Sequence, residues 1–215
     1  MSAARGFMLA DSAVFDQAEY DAYRAVVAPS VECYGGTFII RGGRFQRLEG
    51  DREWHRLVGL EFASIDAARG WYASEEYQAL KAQRLKGART DMLLVEETPG
   101  AGLPPAALPA GAPAPGTVPP AYLVVDVEIH DLDTFRQYAA GSPGSIAGAG
   151  GHYLSRGGPY EVAEGMWQPG RLVLVEFPSW DVLQSWYFGD EYQALARLRQ
   201  SCSTTHMVAV EGHAG

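Results

Sequence analysis

The sequence predicts an α+β protein made of two copies of one β-α-β-β-α-β unit, packed sheet against sheet within a single chain. Three observations support this prediction: an internal repeat without gaps, a proline-rich segment between the copies, and apolar runs that alternate with helix-capping residues. The chain has 215 residues, which is enough for one large domain or two small ones.

The internal repeat is visible by direct alignment, because residues 6–97 match residues 121–212 without a gap. The matched segments are specific, with YGGTFIIRGG over AGGHYLSRGG and WYASEEYQAL over WYFGDEYQAL. Biased composition does not produce a gapless match of this kind, so the chain is a tandem duplication.

A proline-rich segment separates the two copies. Most of the 13 prolines lie in TPGAGLPPAALPAGAPAPGTVPP, which has no charged or aromatic residue. The segment predicts an extended linker over 98–120, between a first repeat at 1–97 and a second at 121–215. At roughly 3.1 Å per residue, such a linker reaches on the order of 60 Å, which is enough to bring the two sheets together.

Each copy contains the signals of four strands and two helices. In the second copy, Tyr122 to Ile129 is an apolar strand, and Asp131 can cap the helix that follows. The segments GGHYLSRGG, RLVLVEF and MVAVEG predict three more strands, and Ser179 can cap the second helix. This order is the ferredoxin-like split βαβ pattern.

The predicted sheet of each copy has helices on one face only, so its other face must be covered. Two copies on one chain can each cover the open sheet face of the other. We therefore expect an intramolecular pseudo-dimer, and the sequence leaves open a further homodimer.

Composition excludes several classes of partner. The formal net charge is -9, which argues against nucleic-acid binding because phosphate recognition needs a basic surface. No apolar run approaches the ~20 residues that span a bilayer, and the start of the chain lacks a signal-peptide pattern. Two cysteines, Cys33 and Cys202, cannot form a disulfide framework. We expect a cytoplasmic protein that binds neither nucleic acid nor membrane.

The segments YGGTFIIRGG, LEGDREWHRLVGLEF and SEEYQALKAQR resemble the DUF1330 family, a branch of the dimeric α+β barrel superfamily, as do their second-copy counterparts. The resemblance covers both copies and leaves out the linker. It implies a dimeric α+β barrel formed within one chain. The superfamily includes cofactor-free oxygenases, polyketide cyclases, isomerases, dehalogenating lyases, haem enzymes and non-catalytic binders, so the fold does not choose an activity.

Arg156 and its counterpart Arg41 lie at strand ends beside two glycines in both copies. A guanidinium in such a place can hold a carboxylate, enolate or phenolate through its planar fork. The alternative is a structural salt bridge, from Arg156 to Glu176 or from Arg41 to Glu61. The sequence leaves both interpretations open.

His152 stands where the first copy has Thr37. Strand alternation predicts that His152, Leu154 and Arg156 share one face. Because histidine titrates near neutral pH, His152 is a candidate acid and base. The alternative is a packed, hydrogen-bonded strand histidine.

Two other side chains could assist proton transfer. Glu176 lies within the apolar segment LVLVEF, where burial can raise the pKa of a carboxyl and make it a general acid or base. Tyr187, on the predicted second helix, carries a hydroxyl that could donate a proton. The predicted catalytic residues are therefore His152, Arg156, Glu176 and Tyr187.

Aromatic side chains could line a pocket for a planar apolar ligand. Several recur in both copies on the predicted second helix, where ordinary core packing is the alternative. Trp54 and Trp167 lie in loop segments that differ between the copies, which predicts a place at a pocket rim. The predicted substrate-binding residues are Trp167, Trp186, Tyr192, Tyr153, Arg41 and Trp71.

The copies differ most after the first helix, where the second has GSPGSIAGAGG and the first has VVAPSVECYGG. Glycine enrichment favours a mobile segment, so we expect the site in the second copy.

The leading hypothesis is a cofactor-independent enzyme that acts by proton transfer on a small apolar molecule. The resemblance implies an aromatic or polyketide-like molecule of secondary metabolism, and isomerisation, cyclisation or oxygenation as the reaction. The alternatives are a non-catalytic small-molecule binder and a structural protein with no open pocket. No metal-ligand spacing such as HExxH or CxxC is present, so no metal is expected.

Overall fold

The computed structural model describes residues 4–101 and 116–214. Most of the predicted linker, residues 102–115, lies outside this part of the chain. The described residues form ten strands: β1 (Gly6–Val14), β2 (Thr37–Arg41), β3 (Phe45–Glu49), β4 (Arg56–Phe62), β5 (Ala88–Glu96), β6 (Ala121–Ile129), β7 (His152–Arg156), β8 (Tyr160–Glu164), β9 (Leu172–Phe177) and β10 (Ser203–Glu211). They also form six helices: α1 (Gln17–Cys33), α2 (Ile65–Ala73), α3 (Glu75–Arg84), α4 (Leu132–Gly148), α5 (Trp180–Phe188) and α6 (Asp190–Gln200).

The strands form two five-stranded antiparallel sheets, in the orders β2-β4-β1-β5-β8 and β3-β10-β6-β9-β7. Four strands of each sheet come from one repeat, as the sequence predicts. The sheets pack face to face around a shared apolar core that includes Phe7 and Leu9 of the first repeat and Val124 and Val208 of the second. The predicted α+β architecture, an intramolecular dimeric barrel, is confirmed.

The fifth strand of each sheet is donated by the other repeat. β3 of the first repeat pairs with β10, and β8 of the second repeat pairs with β5. Buried ion pairs secure the exchange: Arg84 Nη2 lies 2.6 Å from Glu164 Oε1, and Arg199 Nη2 lies 2.5 Å from Glu49 Oε1. The sequence analysis did not predict these two strands.

Local signals place the helices as expected. Asp131 accepts hydrogen bonds from the backbone N–H groups at the start of α4, and Ser179 does the same at the start of α5. The predicted second helix of each repeat is divided into two, because Ser74 and Gly189 adopt extended backbone between the segments. None of the described helices is long and apolar enough to cross a membrane.

Trp54 and Trp167 are part of the shared core rather than a pocket rim. Both side chains are buried, and their rings meet edge to face with centroids 5.4 Å apart. The Arg52 guanidinium lies over both rings. The prediction of a rim position is wrong because the loops that carry these residues fold inward, between the sheets.

Candidate functional site

A cavity of about 40 Å³ lies in the second repeat, between its sheet and helices α4, α5 and α6. This volume holds about three water molecules. Its apolar wall includes Leu123, Val125, Phe135, Val173, Trp186 and Met207. Its polar lining consists of Tyr138, Ser142, Tyr153, Arg156, Arg171 and Tyr192.

An irregularity in β7 turns Arg156 toward this cavity. The pairing of β7 with β9 shifts register between Tyr153 and Ser155. As a result, Leu154 packs in the shared core, whereas Tyr153 and Arg156 both line the cavity. The predicted common face for His152, Leu154 and Arg156 is therefore wrong, since a bulge interrupts simple alternation.

Arg156 donates to two backbone carbonyls and not to a carboxylate. Its Nη1 lies 2.9 Å from the Ala101 oxygen, and its Nη2 lies 2.6 Å from the Ala139 oxygen. The Ala139 carbonyl lacks its usual helical donor because Pro143, four residues later in α4, has no N–H. The alternative of a salt bridge between Arg156 and Glu176 does not hold in the structure.

A second guanidinium, that of Arg171, lies beside Arg156. Arg171 Nη2 donates to the Arg156 carbonyl oxygen at 2.9 Å. Burial, and then repulsion from the Arg156 charge, lowers the pKa of Arg171. Within residues 4–101 and 116–214, neither arginine forms an ion pair with a carboxylate. The polar end of the cavity therefore carries positive charge that an anionic ligand group could balance.

Tyrosine hydroxyls supply the other polar groups. Tyr153 Oη lies 3.2 Å from Ser142 Oγ, and burial raises the pKa of Tyr153 to about 12. Burial, followed by the neighbouring Tyr192 hydroxyl, also raises the pKa of Tyr138. Both phenols are therefore protonated at neutral pH, so they can donate a hydrogen bond or a proton but cannot act as bases.

Trp186 and Tyr192 form the aromatic wall of the cavity, with ring centroids 3.9 Å apart. Trp186 Nε1 donates to Ser145 Oγ at 2.9 Å, which fixes the indole against α4. The structure thus brings together four of the predicted site residues: Arg156, Tyr153, Trp186 and Tyr192.

His152 and Glu176 lie on the other face of the same sheet. They oppose each other in the register of β7 and β9, and Glu176 opposes Tyr122 of β6. Directly opposed residues of antiparallel strands share a face, and Tyr122 belongs to the shared core. Neither side chain lines the cavity, so the geometry does not support the predicted proton transfer by His152 and Glu176 there.

The other predicted residues have structural contacts. Tyr187 Oη donates to Glu49 Oε1 at 2.8 Å, across the junction between the repeats. Trp167 Nε1 donates to Asp126 Oδ2 at 2.9 Å, within the shared core. Trp71 is buried in the helix-side core of the first repeat. None of these three lines the second-repeat cavity.

The first repeat contains an equivalent cavity, also about 40 Å³, between its sheet and helices. Arg41 and Arg56 line it at the positions of Arg156 and Arg171. Arg41 lies over the Phe38 ring, 4.4 Å from the centroid, and not against Glu61, which pairs with Arg5.

An ion pair involves one lining residue of the first-repeat cavity. Arg24, which lines this cavity, forms an ion pair with Asp21. Hydrogen bonds from Gln17 and Arg24, and then the charges of Arg24 and Arg56, lower the pKa of Asp21. The equivalent of Asp21 in the second repeat is Arg136.

Arg56 Nη2 donates to the Arg41 carbonyl oxygen at 3.0 Å, as Arg171 Nη2 does to the Arg156 carbonyl oxygen. The two cavities therefore share a pair of arginines and differ at Arg24, whose counterpart Ala139 carries no charge.

A larger, open cleft of about 390 Å³ lies at one end of the shared core. Two of its carboxylates have partners: Arg52 Nη2 lies 3.0 Å from Asp91 Oδ2, and Asp11 Oδ1 accepts from the His55 backbone N–H at 2.8 Å. Burial raises the pKa of Asp11. In the described part of the chain, no three His, Cys, Asp or Glu side chains are grouped so that they could hold a metal ion.

The family model described as "Domain of unknown function (DUF1330)" matches residues 5–98 and again residues 120–213. The chain belongs to the DUF1330 family. No curated protein matches this DUF1330 chain.

Solved structures with similar folds share little sequence with this DUF1330 protein. A candidate monooxygenase from Lactobacillus acidophilus NCFM has a TM-score of 0.53 and 11% identity, over 96% of this chain and 93% of that one. An anthrone oxidase-like protein has a TM-score of 0.51 and 12% identity, over 99% and 94%. A mutant chlorite dismutase from Candidatus Nitrospira defluvii, in complex with cyanide, has a TM-score of 0.50 and 11% identity, over 95% and 90%. These likenesses show the fold alone.

Sequence reasoning missed Arg171 and Tyr138, which both line the second cavity. Each is identical in the two repeats of this DUF1330 chain, where Arg56 and Tyr23 are the counterparts. From the sequence alone, identity between the copies favours a structural role. In this fold it also marks the polar lining that the two cavities share.

Proposed function

We propose that the second-repeat cavity binds a small, largely apolar molecule through one anionic oxygen group. The observation that carries this proposal is the pair of guanidiniums, Arg156 and Arg171, at the polar end of a cavity lined by aromatic and aliphatic side chains. Two positive charges without a carboxylate partner favour a carboxylate, phenolate or enolate oxygen. The apolar body of the ligand would lie toward Trp186 and Met207.

Such a site favours reactions that pass through an anion of the ligand. The two guanidiniums lower the free energy of an enolate or phenolate relative to its neutral form, so the ligand would lose a proton to water more readily. The electron pair left on the ligand oxygen would be held by Arg156 and Arg171. The Tyr153 hydroxyl could return a proton to the ligand and then recover the proton that water had taken, which restores both groups. Isomerisation, cyclisation or oxygenation of an aromatic or polyketide-like molecule without a cofactor would begin in this way.

The wall of the cavity must move to admit a ring. A volume of about 40 Å³ is smaller than the ~150 Å³ apolar cavity that accommodates benzene. Helix α4 is the wall best suited to move, because it contains Pro143 and the glycines Gly141, Gly144 and Gly148. The equivalent helix α1 contains one proline and no glycine.

Binding is tested with benzoate and its neutral isostere benzamide, measured by titration calorimetry. Benzoate is expected to bind more tightly than benzamide. Arg171→Gln is expected to weaken benzoate binding about tenfold, the magnitude of one hydrogen bond to a charged group. Arg56→Gln, the same change in the first repeat, is the matched control and should have little effect. Equal binding of the two probes, or equal losses in the two variants, would contradict the proposal.

A non-catalytic binder is the second candidate, favoured because no carboxylate or histidine lines the cavity in the described residues. Hydrogen–deuterium exchange at the benzylic carbon of phenylpyruvate, next to its ketone group and followed by NMR in D₂O, separates the two. An enzyme should accelerate the exchange, and Arg171→Gln should abolish the acceleration. Binding of benzoate with no acceleration would assign the cavity to binding alone.

A further inference from the structure

The two repeats carry an equivalent buried arginine with different hydrogen bonds. In the second repeat, Arg199 Nη1 donates to Thr205 Oγ1 at 2.6 Å. In the first repeat, the equivalent Arg84 has no acceptor for Nη1 or for Nε, although both atoms are buried. The side chain of Arg84 is only 2% exposed. A buried donor without an acceptor is costly, so this position calls for an oxygen atom that the protein does not supply.

A single substitution between the repeats accounts for the difference. The residue equivalent to Val127 in the first repeat is Ser12. Ser12 Oγ lies 2.9 Å from Thr90 Oγ1, and Thr90 is the counterpart of Thr205. In the first repeat the Thr90 hydroxyl is bonded to Ser12 and makes no hydrogen bond with Arg84. Valine cannot form this bond, which leaves Thr205 available to Arg199.

Arg84 also faces the cavity of its repeat, whereas Arg199 does not line the other one. Arg84, Ser12 and Thr90 lie together among the lining residues of the first-repeat cavity. Met8 and Met92 line the same cavity, as do the polar side chains Tyr20, Tyr23, Arg24, Arg41 and Arg56. Arg84 thus presents a buried donor without an acceptor to a cavity whose lining is partly apolar.

We propose that the first-repeat cavity is a second binding site, for a small neutral molecule whose carbonyl oxygen accepts from Arg84. A neutral acceptor fits because the charge of Arg84 is already balanced: its Nη2 lies 2.6 and 2.8 Å from the two Glu164 oxygens. A volume of about 40 Å³ accommodates a compact molecule of about four non-hydrogen atoms, on the scale of three waters. This site is separate from the second-repeat cavity, and its ligand differs in charge and size.

The test uses acetone as the probe and isobutene as the hydrocarbon of the same shape. The methyl groups of Met8 and Met92 report on the first-repeat cavity by NMR, and that of Met207 reports on the second. Acetone is expected to shift the Met8 and Met92 signals saturably and to leave Met207 unchanged. Isobutene should bind more weakly than acetone at the first cavity.

Two variants that exchange Ser12 and Val127 between the repeats serve as controls for acetone binding. Ser12→Val gives the first repeat the arrangement of the second, so acetone should bind there about fivefold more weakly, as one hydrogen bond is lost. Val127→Ser should leave the Met207 signal unchanged by acetone, because Arg199 does not line the second cavity. Both changes leave Arg84 and Arg199 with their Glu164 and Glu49 partners, so folding is expected to be preserved.

Three results would overturn the inference: no saturable shift at Met8 and Met92, equal binding of acetone and isobutene, or unchanged acetone binding in Ser12→Val. The first would mean that water alone satisfies Arg84. None of these results bears on benzoate binding at Arg171, so the two cavities are tested independently.

Discussion

In the first repeat, a buried arginine at the end of α3 faces a cavity. In the second, the equivalent arginine at the end of α6 is bonded to a threonine of the last strand. Both cavities are lined by a pair of arginines at equivalent positions, and the first also has Arg24, which is paired with Asp21. One fold, repeated within one chain, therefore presents a buried arginine donor to one cavity and withholds the equivalent donor from the other.

This comparison shows what tandem fusion permits. A symmetric homodimer must carry the same side chains in both cavities, so a change that suits one ligand alters both sites. In a fused chain, Ser12 and Val127 can differ, and so can Asp21 and Arg136. The two cavities can then take different ligands without any change in backbone.

Changes at the ion pairs that join the repeats are expected to lower the free energy of unfolding the most. Glu164→Gln should lower the free energy of unfolding by about 3 kcal/mol, because it leaves the buried Arg84 charge without a partner. Glu49→Gln should cost less, since Arg199 keeps its bond to Thr205. Urea unfolding of both variants measures the difference. Equal losses would mean that Thr205 contributes nothing to Arg199 and that the two arginines are equivalent after all.

Changes at Thr205 and Thr90 are expected to lower the free energy of unfolding by a smaller amount. Thr205→Val should cost about 2 kcal/mol, because it leaves a buried Arg199 donor without an acceptor. Thr90→Val should cost about 1 kcal/mol, since it removes only the bond to Ser12. The comparison is again by urea unfolding. A greater loss for Thr90→Val would show that Thr90 interacts with Arg84 in solution.

The smallest effect concerns helix α4. A Cβ added at Gly144 meets open space, so Gly144→Ala should stabilise the protein by about 0.5–1 kcal/mol. A stiffer α4 should also weaken benzoate binding, if this helix moves to admit the ring. The control is Ala28→Gly in α1, which should destabilise by a similar amount and leave benzoate binding unchanged. Unchanged binding in Gly144→Ala would indicate that another wall opens.

Much of the fold could be predicted because the signals are local or repeated. The gapless duplication predicts two equal units, and Asp131 and Ser179 mark helix starts that the structure confirms. The strands β3 and β8 were not predicted, because FQRLE and YEVAE lack a clear apolar alternation and their partners lie in the other repeat. Pairing between residues at least 65 positions apart leaves no signal in a short window of sequence.

The site was predicted in part, and the failures have a common cause. Arg156, Tyr153, Trp186 and Tyr192 line the cavity, whereas His152 lies on the opposite face. Alternation alone cannot reveal a bulge, and the β7 bulge decides which residues of that strand share a face. The Ser12–Thr90 bond is likewise absent from any motif, because it joins two strands far apart in the chain.

Because of the strand exchange, each repeat depends on the other for one strand of its sheet. Neither repeat can complete its sheet alone, since the strand that covers the β5 edge is β8 of the other half, and the strand that covers the β10 edge is β3. A half produced by itself would expose an unpaired edge that invites aggregation. The two halves expressed as separate polypeptides would be expected to find each other and restore both sheets by complementation. Cleavage between them would leave a noncovalent heterodimer in place of two free domains.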